Sequence, residues 1–200
     1  MDTDFCYFCM QLPPLSIGEA PAISLEEFDD RLRSVPPKAA SYVRSCSFPM
    51  IPEAVFPRGS AAAKFRSFEE GLRYEIARFR AAKSGRSLPP RPRGARTEEE
   101  IPSRIQSIAG LNPLEREKKL NEMRSAFLEQ IEKDDPLSRE AAVCYRLRLS
   151  MLWRETTFGD MAGREVFRNT VDTIEQESIG EVGPSSGEKN NRENPTKAEV

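Results

Sequence analysis

The chain contains no histidine, and that single absence removes a wide range of chemistry. A Ser-His-Asp triad, a Cys-His pair, an imidazole metal ligand and a histidine general base are all excluded. A glycine-rich phosphate loop and a nucleophile elbow are also lacking, since Gly180 to Gly187 is followed by no Lys-Ser/Thr pair. No apolar run approaches the ~18 residues of a membrane span, and no basic segment leads into a continuous apolar stretch at the N-terminus. These absences predict a soluble, intracellular chain that is not an enzyme and takes no cofactor, no metal and no small-molecule substrate.

Cysteine is scarce, at positions 6, 9, 46 and 144. Cys6-x-x-Cys9 would suggest zinc or redox chemistry if a second pair followed, but Cys46 and Cys144 are isolated, and structural zinc needs four ligands. Phe5, Tyr7 and Phe8 surround the first pair with apolar bulk. The reading is therefore of buried thiols in a reducing compartment.

What is present in quantity is charge, 31% of the chain, in a segregated arrangement. Residues 1–30 carry seven acids and no base, a net of −7. Residues 58–96 carry eleven bases against three acids, a net of +8. Such segments fold onto each other or face partners of opposite charge.

Periodicity and caps predict helices. The run from Phe5 to Leu12 is too short to separate strand from helix. Ser24-x-x-Glu27 is a capping box ahead of Leu25, Phe28 and Leu32, which predicts a helix to about Ser34. Pro36-Pro37 opens a short helix with Ala40, Val43 and Cys46 inward, and Pro49, Pro52 and Pro57 punctuate a loop. From Ser60 to Ser84, Phe65, Phe68, Leu72, Ile76 and Phe79 form one apolar stripe flanked by Arg66, Arg73 and Arg80, with Gly85 as C-cap. Residues 87–103 read as a basic, proline-rich loop. Asn112-Pro113-Leu114-Glu115 starts a helix whose buried face is Leu120, Met123, Phe127, Leu128 and Ile131. A wide apolar surface predicts a central or interfacial helix from Leu137 to about Thr157. A last helix follows Asp160 with Val166, Phe167, Val171 and Ile174 inward. Beyond Ser178 the composition predicts disorder. The expected architecture is all-α, one domain over residues 1–177 with five or six helices, and a tail over 178–200.

Paired carboxylates such as Glu69-Glu70, Asp29-Asp30 and Asp134-Asp135 are adjacent in sequence and read as solvated faces or turn formers, not as an acid and base sharing a site. The bases of residues 58–96 suit phosphate. The aromatics between them lie at core spacing, however, and the overall pI is near 5.5, so nucleic acid is the less favoured partner. An acidic protein surface uses the same arginines.

The pattern also carries a resemblance. Tyr7-Phe8, Gln11-Leu12-Pro13-Pro14-Leu15-Ser16-Ile17-Gly18 and Ile23-Ser24-Leu25-Glu26-Glu27-Phe28 resemble the opening of a family of uncharacterised bacterial proteins encoded beside V/A-type ATPase subunits. Phe65-Arg66-Ser67-Phe68-Glu69-Glu70, Leu72-Arg73, Glu75-Ile76-Ala77, Arg80-Ala81, Asn112-Pro113-Leu114-Glu115 and the helix from Leu147 to Trp153 extend it. The resemblance implies a helical protein similar to the C-type subunit of the V/A-type ATPase (the d-type subunit in eukaryotes), which sits between the rotor stalk and the membrane ring. That ATPase component is larger, so the chain corresponds to part of such a fold.

The functional expectation is a non-catalytic subunit or accessory factor of a bacterial V-type ATPase. It would be cytoplasmic, peripheral to the inner face of the membrane, and bound to other ATPase subunits. Arg73, Arg78, Arg80, Arg91, Arg93 and Arg96 are the candidate partner-binding residues. The alternative is an unrelated helical adaptor that binds RNA through residues 58–96.

Overall fold

Side-chain caps set the starts of four helices in this chain. In this computed structural model, residues 3–50, 55–88, 90–92, 100–157, 168, 170 and 171 are described. Seven α-helices and no strand occur among them: α1 (Thr3–Met10), α2 (Leu25–Arg31), α3 (Pro37–Ser45), α4 (Ala61–Ser84), α5 (Ile101–Ile108), α6 (Pro113–Asp134) and α7 (Arg139–Thr156). The all-α expectation holds, with more helices than the five or six expected. The chain divides into two units, Met1–Phe158 and Gly159–Val200. The first contains the seven helices; in the second, Arg168, Thr170 and Val171 are helical. The expected tail and most of the expected last helix lie outside the described residues. No described helix is long and apolar enough to cross a membrane.

The capping box at α2 is complete. The Ser24 hydroxyl accepts from the Glu27 amide at 3.0 Å, and the Glu27 carboxylate accepts from the Ser24 amide at 2.7 Å. A 3₁₀ turn, Leu32–Ser34, ends this segment. Ser60 caps α4 through the Ala63 amide, and Glu140 of α7 accepts from the Ala61 amide, placing a carboxylate at the positive end of the helix dipole. Gly85, with φ of +65°, closes α4 in the left-handed conformation that glycine adopts without penalty. Asn112 caps α6, and Ser138 caps α7.

The structure resolves one element that the sequence left open between strand and helix, and departs from expectation at another. The aromatic run at the N-terminus is a helix, because Phe5 and Phe8, one turn apart, both enter the core. Helix α5 begins inside the stretch read as loop. Its Ile101, Ile105 and Ile108 recur at helical spacing and are buried, while Pro102 occupies the first turn, where a missing N–H has no consequence.

Helix α7 is central: eleven of its eighteen residues are buried, and it packs against α1, α2, α3, α4 and α6. Burial of each leucine such as Leu147 or Leu149 contributes about 2 kcal/mol. The helix also holds the extended segment between α1 and α2, whose carbonyls have no helical partners. Tyr145 Oη donates to the Pro13 carbonyl, Arg148 to that of Leu15, and Trp153 Nε1 to that of Ile23. Aromatic contacts join distant elements, with Phe28 stacked on Tyr145 and Phe68 stacked on Phe127 at 4.2 Å between ring centres.

A candidate docking groove beside the basic helix

The candidate arginines on α4 differ in what they meet. Arg73 and Arg80, seven residues apart, share one row of the helix, whereas Arg78 lies about 140° around from Arg73 at 3.6 residues per turn. Arg73 donates through Nε to Glu69 at 2.8 Å, and Arg78 Nε lies 2.7 Å from Glu75 Oε2. Both carboxylates belong to α4 and both are buried. The charges of Arg73 and Arg78 are thus answered within their own helix. The Arg91 guanidinium stands over the Tyr74 ring, 5.8 Å from its centre, a cation–π arrangement that ties the segment after α4 back to it. Arg93 and Arg96 lie outside the described residues. Arg80 is exposed and makes no ion pair among the described residues.

Glu69 corrects the solvated-face reading of Glu69-Glu70. It is only 4% exposed and accepts a two-pronged interaction from Arg124 of α6, at 2.9 and 3.2 Å. Arg124 also donates to Asn121 and Glu117, and its guanidinium lies 4.9 Å from the Phe48 ring centre. Glu117 in turn meets Arg154, and Asn121 donates to Glu155. Every charge in this α4–α6–α7 network has a partner inside the protein, so the network is a structural tie.

Arg80 instead borders a groove of about 250 Å³ formed by the C-terminal half of α4, α5 and the start of α6. Its floor is apolar: Ile76 and Phe79 from α4, Ile105 and Ile108 from α5, and Leu120 from α6. Its rim is cationic, with Arg80 and Lys83 from α4 and Arg116 from α6, and no aspartate or glutamate among the described residues lines it. Arg116 donates through Nη2 to the carbonyls of Ala109 and Leu111, satisfying the exposed end of α5, while its buried Nε–H has no partner. None of the three rim cations makes an ion pair among the described residues, whereas Arg33, Arg44, Arg66, Arg104, Arg139, Arg146 and Arg148 all do. A second cavity, about 590 Å³ between α4, α5 and α6, is lined by Glu100 and Arg104, which neutralise each other at 2.8 Å.

Of the four thiols expected to be buried, Cys6 and Cys9 are only half-buried. Cys46 and Cys144 are buried, and burial pushes their pKa values up to about 11 and about 12. Cys9 is pushed up to about 12 by burial and then by the nearby Glu132 charge, and its Sγ donates to the Ser138 carbonyl. No group of three or more potential metal ligands occurs among the described residues.

Residues 98–178 match the family described as a protein of unknown function (DUF2764). That match covers about two-fifths of the chain. It takes in α5, α6 and α7, and with them the Ile105, Ile108, Arg116 and Leu120 side of the groove; the α4 side lies outside it. No curated protein and no solved structure matches the chain.

Sequence reasoning found Arg80 and the Ile76–Phe79 stripe but missed Arg116 and the α5 isoleucines as their neighbours. The signal for α5 was available in the spacing of Ile101, Ile105 and Ile108. No local pattern marks Arg116, which reaches the groove because α5 and α6 both pack against α4.

Proposed function

We propose that this chain is a non-catalytic helical adaptor acting through protein–protein contacts, and that the assembly it serves is a bacterial V/A-type ATPase, as accessory factor or subunit. The observation that carries the adaptor reading is the groove with Arg80, Lys83 and Arg116 on its rim, cations that no carboxylate among the described residues pairs with. An unanswered positive rim around a recessed apolar floor suits a partner with acidic and apolar side chains. The ATPase assignment is supported by the resemblance of the Gln11–Gly18, Phe65–Glu70 and Asn112–Glu115 blocks to proteins encoded beside those subunits. In this reading the protein is peripheral to the cytoplasmic membrane face.

RNA binding is disfavoured by Phe65 and Phe68. Both are buried, so neither ring is available for base stacking. The test is affinity recovery of the full chain from gently solubilised native membranes, with and without nuclease. Stoichiometric ATPase subunits, insensitive to nuclease, are expected. Recovery of nuclease-sensitive material alone would overturn the proposal.

A further inference from the structure

We infer that the groove between α4, α5 and α6 receives an acidic amphipathic helix of a partner protein, two turns of which lie against the α4 face from Ile76 to Lys83. This rests on the adaptor reading and specifies the partner's chemistry. The volume, about 250 Å³, falls below the ~300–1,000 Å³ typical of small-molecule sites and suits a few inserted side chains. Ile76, Phe79, Arg80 and Lys83 follow the spacing i, i+3, i+4 and i+7, so the α4 wall is about 10 Å long at 1.5 Å per residue. A helix laid along it presents apolar anchors at matching intervals and keeps its own backbone bonds satisfied.

Charge selects the occupant. Among the described residues the rim provides three cations and no anion. Carboxylates flanking the anchors answer all three cations. The apolar floor is recessed: Ile105, Ile108 and Leu120 are 5%, 8% and 6% exposed. They accept side chains from outside and do not project into a lipid surface, and exposed apolar residues such as Tyr7 and Met10 lie elsewhere on α1.

The test uses the full chain and three labelled synthetic peptides of equal length. One is an acidic helix with leucine at i, i+3, i+4 and i+7 and glutamate between; one has the same composition scrambled; one replaces glutamate with lysine. Fluorescence anisotropy should show the acidic amphipathic peptide binding at least about tenfold more tightly than either control, and more weakly as salt rises. Arg80→Glu together with Lys83→Glu, on exposed side chains without partners, should weaken binding about tenfold or more. Arg33→Glu, exposed and remote in the 3₁₀ turn, should leave it unchanged. Ala109→Phe, which fills the groove without altering charge, should weaken binding while preserving its salt dependence.

Equal binding of the scrambled peptide overturns the inference, as does tighter binding to phosphatidylserine vesicles that the double variant abolishes. If no peptide binds while the chain still recovers partners from membranes, the acidic-helix inference fails and the adaptor reading stands. Peptide binding by a chain that recovers no ATPase subunits supports the inference and removes the ATPase assignment.

Discussion

Glu69 and Arg124 show how much one buried pair can govern. Each is about 5% exposed, and without the other each keeps a single ion-pair partner, Arg73 for Glu69 and Glu117 for Arg124. Arg124→Leu, which removes the two-pronged donor to buried Glu69, should therefore destabilise the protein by about 1–3 kcal/mol, whereas Glu69→Leu combined with Arg124→Leu should recover part of that loss. Urea unfolding of both variants checks the pair, and equal destabilisation by the single and double changes would refute this account. The thiols act at the same scale. Burial favours the protonated thiol, so above an unfolded pKa near 9 the folded state holds more protons than the unfolded one. Stability contributed by Cys46 and Cys144 is therefore complete below about pH 9 and declines as pH rises toward about 11 to 12. At one pH unit above the unfolded value the pair should lose about 2–3 kcal/mol. Urea midpoints between pH 7 and 10 should show this fall, and a variant with both cysteines replaced by alanine should show a flatter profile.

At the scale of elements, caps made the long helices readable. Ser60 and Gly85 bound α4, Asn112 starts α6, and each signal lies within four residues of what it controls. Gly85→Ala should cost about 1 kcal/mol through its left-handed backbone alone, since no atom lies near the added Cβ. Ser24→Ala should cost a similar amount, about 1 kcal/mol, by removing half of the capping box. Denaturant midpoints of these two variants compare a C-terminal with an N-terminal device. Helix α5 escaped because a proline-rich stretch preceded it and Pro102 sat within it, although proline in a first turn is no obstacle. The arginines escaped for another reason. Composition made Arg73, Arg78 and Arg80 equivalent, but Glu69 and Glu75 turn two of them inward to their own helix. Which carboxylate is buried depends on α6 packing across α4, and no window of neighbouring residues contains that information. The floor of the groove was half legible for the same reason, its α4 wall from periodicity and its α5 and α6 walls only from the folded arrangement.

At the scale of the molecule, the central position of α7 makes the remaining helices depend on it. Leu147, fully buried, is at the middle of that dependence. Leu147→Ala should lower stability by about 2–5 kcal/mol, with the larger values expected if surrounding helices fail to close on the cavity. Calorimetry should show the whole unit from Met1 to Phe158 melting at a lower temperature in a single transition; separate melting of the first three helices would contradict a central α7. The three bonds from Tyr145, Arg148 and Trp153 to the carbonyls of Pro13, Leu15 and Ile23 have a further consequence during synthesis. They span 132, 133 and 130 residues of sequence. The opening segment emerges from the ribosome long before its fasteners exist. At about 5–20 residues per second, it waits roughly 6–26 seconds for them. Over that interval Phe5, Phe8 and Phe28 are without the surface that will cover them, so a segment made long before α7 is among the last to be secured.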